Sequence, residues 1–254
     1  MSEGTHGLIV TERAASPKSV GRCYVSANAY PLTVPYKNPH RDAYEINGKM
    51  PRIVSILFNT LVVVPNEDYD AESRTMSFGR LFRSLCLRLH MCAGGRANES
   101  MRRLLRSFND ITFYKDDGTP VKPIENLVMP ERGLSGIRVT FTEDYVRLML
   151  DNPREMPLST FVAVSSSAVQ LDLLVLAVLY CPEDRKLIIQ RDELPSIMPM
   201  VSPQTLAPTK LNSLLVKLNQ IQDRWTFRLG ERNLSICPAD MWEPNSEALV
   251  LRRI

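Results

Sequence analysis

The chain has 254 residues, 44% of them hydrophobic and 23% charged, with a formal net charge of +3 at pH 7. That length can bury one large core or two of ordinary size, and the composition excludes disordered and collagen-like classes. So small a net charge means that any surface for nucleic acid must come from clustering of basic residues.

Residues 1–40 are polar and proline-rich, with "YPLTVPYKNPH" the densest part, and read as a partly ordered N-terminal arm. The first unit is expected over residues 41–150. "PRIVSILFNTLVVV" (Pro51–Val64) places Ile53, Ile56, Leu57, Thr60, Leu61 and Val64 at helical spacing, with a proline in the first turn. "NEDYDAES" reads as a polar loop, and "SFGRLFRSLCLRL" (Ser77–Leu89) as a second helix burying Phe78, Leu81, Phe82, Leu85 and Leu89. After the "AGG" break, Asn98 is the expected N-cap of a third helix, whose apolar face is Met101, Leu104, Leu105 and Phe108. "ITFYK", the "DDG" turn and "TPVKPI" then read as a β-hairpin, and "GIRVTFT" as a further strand. Three helices followed by a hairpin is the order of a winged helix.

"EDYVRLMLDNPREMP" reads as a linking helix ended by Pro153, after which the pattern recurs over residues 151–254. "SAVQLDLLVLAVLY" is a first helix, "KLIIQ" a strand and "RDELPSI" a broken second helix. "PTKLNSLLVKLNQIQ" is a third, with Leu211, Leu214, Leu215, Leu218 and either Ile221 or Gln222 inward, and "WTFRLGERNLSICP" a hairpin turning near Gly230. The expected fold class is α+β: two tandem winged-helix domains and a C-terminal tail.

Charge is concentrated in the first of these. From Arg80 to Arg106 there are seven arginines (80, 83, 88, 96, 102, 103, 106) against one acid, Glu99. That excess of six is twice the charge of the whole chain. At 100° per residue, Arg102, Arg103 and Arg106 fall opposite the apolar face of the third helix, with Arg96 and Glu99 on the same outer side. Arg binds phosphate through paired N–H groups and reaches guanine in the major groove. Lys115, in the expected wing, is a candidate backbone contact. In the second unit Lys210, Ser213, Lys217 and Gln220 line the outer face of the third helix, with Arg224 beyond it. Ten basic against nine acidic residues from Pro182 onward make that half no electrostatic footprint by itself. Two readings stay open for both helices: a surface for DNA, and an ordinary solvated face.

No catalytic constellation emerges. "NGKM" lacks the upstream glycine and the following Ser/Thr of a phosphate loop, "GLSG" is not a nucleophile elbow, and "SSSA" opens a helix where serine caps. The five cysteines (23, 86, 92, 181, 237) form no C-x-x-C pair, and His6, His40 and His90 lie far apart, so neither a metal nor a disulfide framework is expected. No cofactor is implied. The opening "MSEGTHGLIV" does not read as a secretory leader, and "LLVLAVLYC" is too short for a membrane span, so a cytoplasmic location and no membrane partner are expected.

"GKMPRIVSILFNTLVV", "SFGRLFRSLCLRLHMCAGGRANESMRRLLRSF" and "IRVTFTEDYVRLMLDNPREMPLSTFVAVSSSAVQLDLLVLAVLY" together resemble the plasmid replication initiators of the RepA-like family, over roughly residues 48 to 180. The resemblance rests on hydrophobic pattern and the placement of Gly and Arg. It implies a protein that binds repeated origin sequences in double-stranded DNA through two winged helices and recruits host replication proteins. It also implies a homodimer as a form that controls copy number. The candidate DNA contacts read from the charge pattern are Arg80, Arg83, Arg96, Asn98, Arg102, Arg103, Arg106, Lys115, Lys210, Ser213, Lys217 and Arg224. Two other expectations stand beside it: a non-catalytic winged-helix scaffold within a larger nucleoprotein complex, and a transcriptional repressor on an inverted repeat.

Overall fold

The computed structural model describes residues 21–30, 36–37, 49–91, 95–110, 112–115, 117–198, 201, 203–241 and 248–251. It is an α+β protein of eight helices and four small sheets among these residues. Strand β1 (Arg22–Val25), a 3-10 turn (Ala27–Ala29) and β2 (Tyr36–Lys37) precede helix α1 (Lys49–Val63). The short strands β3 (Tyr69–Asp70) and β4 (Thr75–Ser77) lead into α2 (Arg80–Arg88) and α3 (Gly95–Asp110). Next come β5 (Thr112–Tyr114), β6 (Pro120–Val121), β7 (Ile124–Val128), β8 (Arg138–Phe141), α4 (Glu143–Leu150) and β9 (Arg154–Pro157). The second half holds α5 (Leu158–Val164), α6 (Ala168–Tyr180), β10 (Lys186–Gln190), α7 (Leu194–Ile197) and α8 (Pro208–Ile221), then β11 (Trp225–Leu229), β12 (Asn233–Pro238) and β13 (Ala248–Leu251).

Apart from β3 and the β5–β6 hairpin of the first half, both halves share one connectivity: helix, strand, helix, helix, hairpin. In the first half β4 pairs antiparallel with β8, the last strand, and β8 pairs with β7, giving the order β3-β4-β8-β7. The second half matches it, with β10 antiparallel to β12 and β12 to β11; β13 adds parallel to β10 at the other edge. The "NEDYDAES" stretch expected as a loop therefore contributes strand β3 and the turn that leads to β4.

The hairpin expected to be the first wing is a different element. β5 and β6 pair with each other and with β2, in a sheet separate from the one that closes the first half. The first half is closed instead by a second hairpin, β7–β8, whose nine-residue connection (129–137) carries Gly133 and Gly136 at positive φ, 72° and 84°. "IENLV" is a poor alternating pattern: Ile124 is buried but Glu125 and Asn126 are both exposed, across a register shift between Ile124 and Asn126. That irregularity hid the strand from a period-2 reading.

Helix α1 is buried from Pro51 to Leu61 without interruption, so it is a central helix and not an amphipathic one. Phe58 packs edge-on against Phe108 of α3 and Phe141 of β8, with ring centroids 5.8 and 5.1 Å apart. Part of the stretch expected to be an arm belongs to this core. β1 pairs with β9 along its whole length, and Tyr30 is fully buried. The rest of that stretch, residues 1–20, 31–35 and 38–40, lies outside the described residues.

The halves expected to meet only through a linker share a buried ionic cluster. Arg52 of α1 donates from Nε and Nη2 to the two carboxylate oxygens of Asp172 on α6, both at 2.6 Å, and the Tyr30 hydroxyl donates to the same carboxylate at 2.8 Å. Arg52 and Asp172 are 1% and 0% exposed. Burial lifts the Asp172 carboxyl above the usual carboxylate value, and the Arg52 guanidinium opposes that rise.

Candidate nucleic-acid interface

Helix α3 begins at Gly95, so Asn98 sits inside its first turn and is not the N-cap. The expected apolar face holds: Met101, Leu104, Leu105 and Phe108 are all at most 2% exposed. The arginine face does not hold as a unit. Arg102 is 7% exposed, and its Nη1 donates to the carbonyls of Pro130 and Gly133 at 2.6 and 3.2 Å. At 100° per residue Arg102 lies beside Met101, at the edge of the buried stripe, and the 129–137 connection folds over it. Its role is to anchor that loop to α3, and it is removed from the candidate DNA contacts.

Arg103 and Arg106 remain on the exposed side of α3, with Glu99 4.0 Å from Arg106 and 3.9 Å from Arg102. The side chain of Arg96 and the "AGG" break at residues 93–94 lie outside what is described. On α2, Arg80, Arg83 and Arg88 are exposed. Arg83 is held in place, with Nη2 donating to the Ser135 hydroxyl at 3.0 Å and Nε to the Phe78 carbonyl at 3.4 Å. Lys115 is drawn toward Asp144 at 3.4 Å, on the hairpin that is not the wing, and so does not extend this surface as expected.

The start of α2 is built around Asp68. Its carboxylate accepts from the Phe82 N–H at 2.7 Å, with the N–H groups of Leu81 and Arg80 also directed at it. Gly79 makes room: a Cβ there would lie 1.9 Å from Asp68 Oδ1. Burial raises the Asp68 carboxyl above its ordinary value, against the pull of those N–H groups.

In the second half, Lys210, Ser213, Lys217 and Gln220 are exposed on α8 as expected, together with Asn212 and Val216. Gln222 is the buried one of the pair left open at the helix end, closing on Trp225 through its N–H (2.8 Å) and carbonyl (2.5 Å); Ile221 faces out. Asn219 is bonded to both the N–H and the carbonyl of Phe227, each at 2.9 Å, which fixes α8 against β11. The Arg224 guanidinium lies over the Trp225 ring, 4.9 Å from its centroid.

Two exposed arginines escaped the sequence reading. They are Arg138 on β8, which lines a concavity together with Arg83 of α2, and Arg132 in the 129–137 connection. "RGLSGIR" held the signal, a glycine-spaced turn flanked by arginines, whose "GIR" was read only as the start of a strand.

Comparison with models of known protein families and with curated proteins finds no match. Among the described residues no helix is long and apolar enough to cross a membrane.

Proposed function

We propose that this protein binds double-stranded DNA through two winged-helix units and serves as a plasmid-type replication initiator. The observation that carries the reading is the repeated connectivity. In each half a strand precedes the paired helices and closes antiparallel on the last strand of the hairpin that follows them. That is the winged-helix order, with α3 and α8 as third helices and the loops 129–137 and 230–232 as wings.

The two third helices would do different work. α3, with Arg103 and Arg106 beside Arg80, Arg83 and Arg88 of α2, offers charge suited to phosphates. α8 offers Asn212, Ser213, Lys217 and Gln220 around Val216, a face of donors and acceptors with one apolar group. The initiator class itself rests on the resemblance over residues 48–180.

The test is selection of bound duplexes from a random library at about 0.15 M salt, with wild type and an Arg103→Ala/Arg106→Ala variant that leaves Arg102 in place. A discrete motif for wild type and weakened binding by the variant are expected, with direct repetition of the motif marking an initiator and a lone palindrome a repressor. A wild type that enriches nothing would overturn the reading in favour of a protein scaffold.

A further inference from the structure

A pocket of about 450 Å³ opens between the start of α2 and the end of the 129–137 connection. Ser77 and Phe78 form one wall, Gly136 and Ile137 another, and its two charged lining residues are Arg83 and Arg138. No carboxylate lines it. Asp68 lies behind the lining residue Gly79, and its carboxylate is engaged by the N–H groups of α2. The helix end is thus already capped, and the positive character of the pocket comes from the two guanidinium groups.

We propose that this pocket receives a backbone phosphate of the bound duplex, held between Arg83 and Arg138; the proposal rests on the duplex-binding reading above. A guanidinium has five N–H donors in a planar fork. Arg83 uses two of them, on Ser135 and Phe78, and these contacts orient the remainder. The Arg138 side chain makes no hydrogen bond or ion pair among the described residues. Its root is rigid, because β8 is flanked on both sides, with Arg138 opposite Ser77 of β4 and Val128 of β7. Two guanidinium groups on fixed backbone around a concavity suit a tetrahedral anion with several acceptor oxygens. The pocket would seat the wing against the same strand that α3 addresses and so set the register of the protein on DNA.

The experiment is duplex binding by fluorescence anisotropy across a salt series, for wild type, Arg138→Ala, Arg83→Ala/Arg138→Ala and, as a charge control, Arg147→Ala. Arg147 pairs with Glu143 on α4 and takes no part in the pocket. The slope of log affinity against log salt is expected to become shallower for Arg138→Ala, and by about 0.9, the share of one phosphate, for the double variant. Arg147→Ala should keep the wild-type slope. Because Arg138 is exposed, thermal melts followed by circular dichroism should not distinguish its variant from wild type. Wild-type slopes in both pocket variants, with duplex binding intact, would overturn the pocket and leave the function standing. A wild type that binds no duplex would overturn both. If inorganic phosphate raises the melting temperature of wild type but not of Arg138→Ala, while the salt slopes coincide, the pocket serves a free phosphate and the proposal fails.

Discussion

Arg102 and Arg103 are neighbours in sequence with opposite fates, and the difference is one helical step. Arg103 projects from the outer face, whereas Arg102 donates two hydrogen bonds that tie the 129–137 connection to α3. Hydrogen bonds from a charged donor contribute about 1.5–3 kcal/mol. Arg102→Ala should therefore lower unfolding stability in urea by about 2 kcal/mol, while Arg103→Ala should stay within about 0.5 kcal/mol of wild type. Equal losses from the two would contradict the assignment. Asp68 gives a second test at this scale. Its folded-state carboxyl is raised by burial, so its contribution is greatest below the unfolded value and falls as pH rises through the folded one. Asp68→Asn keeps an acceptor for the Phe82 N–H and has no charge to bury. Its stability should gain on wild type as pH climbs from 3 toward 7 in parallel urea titrations; a gap that widens in favour of wild type would refute this. Gly79→Ala should cost at least about 1 kcal/mol, the usual worth of a helix cap, because the methyl group displaces Asp68.

Between elements, the most consequential contact is the Arg52–Asp172–Tyr30 cluster joining α1 to α6. Removing one partner of a buried ion pair leaves an uncompensated charge and costs about 3–5 kcal/mol, whereas replacing both by apolar groups of similar volume is often neutral. Arg52→Met alone should be strongly destabilising, and adding Asp172→Leu should restore much of the loss, with Tyr30→Phe needed to remove the last orphaned hydroxyl. Additive losses in that series would show that the pair is not coupled. The cluster was legible only as an anomaly: the arginine in "PRIVSILFN" and the aspartate in "LDLLVLAVLY" are each the one charge in a mainly apolar stretch. Each alone looks like a solvent-facing position. Only the packing of α1 on α6 makes them partners.

Across the whole molecule, the shared contacts make the two halves interdependent. β1 comes from the N-terminal stretch and pairs with β9 after the expected linker, and Tyr30 reaches the second half through Asp172. The expected outcome is one cooperative transition in calorimetry for wild type, with the calorimetric and van't Hoff enthalpies equal. Two resolved transitions would show that the halves unfold independently. The division of charge also belongs to this scale. The basic residues gather around α2, α3 and the 129–137 connection, while α8 carries two lysines, Lys210 and Lys217, in an otherwise uncharged polar face, so mutations in the first half should act mainly on salt dependence.

Helix positions were legible because an apolar stripe repeating every 3.6 residues depends on nothing beyond the helix itself; Met101, Leu104, Leu105 and Phe108 needed no partner to be recognised. Ser167 as a cap and KLIIQ as a strand were readable for the same local reason, and the structure keeps both. What tertiary structure alone decided is which strands pair and which charges are covered. β4 and β8 lie about sixty residues apart, and β1 and β9 more than a hundred and thirty. Such pairings depend on hydrogen bonds between segments that are individually too short and irregular to identify. The same long-range closure made β7–β8, and not β5–β6, the hairpin that completes the first-half sheet, buried Arg102, and brought Arg83 and Arg138 to one pocket.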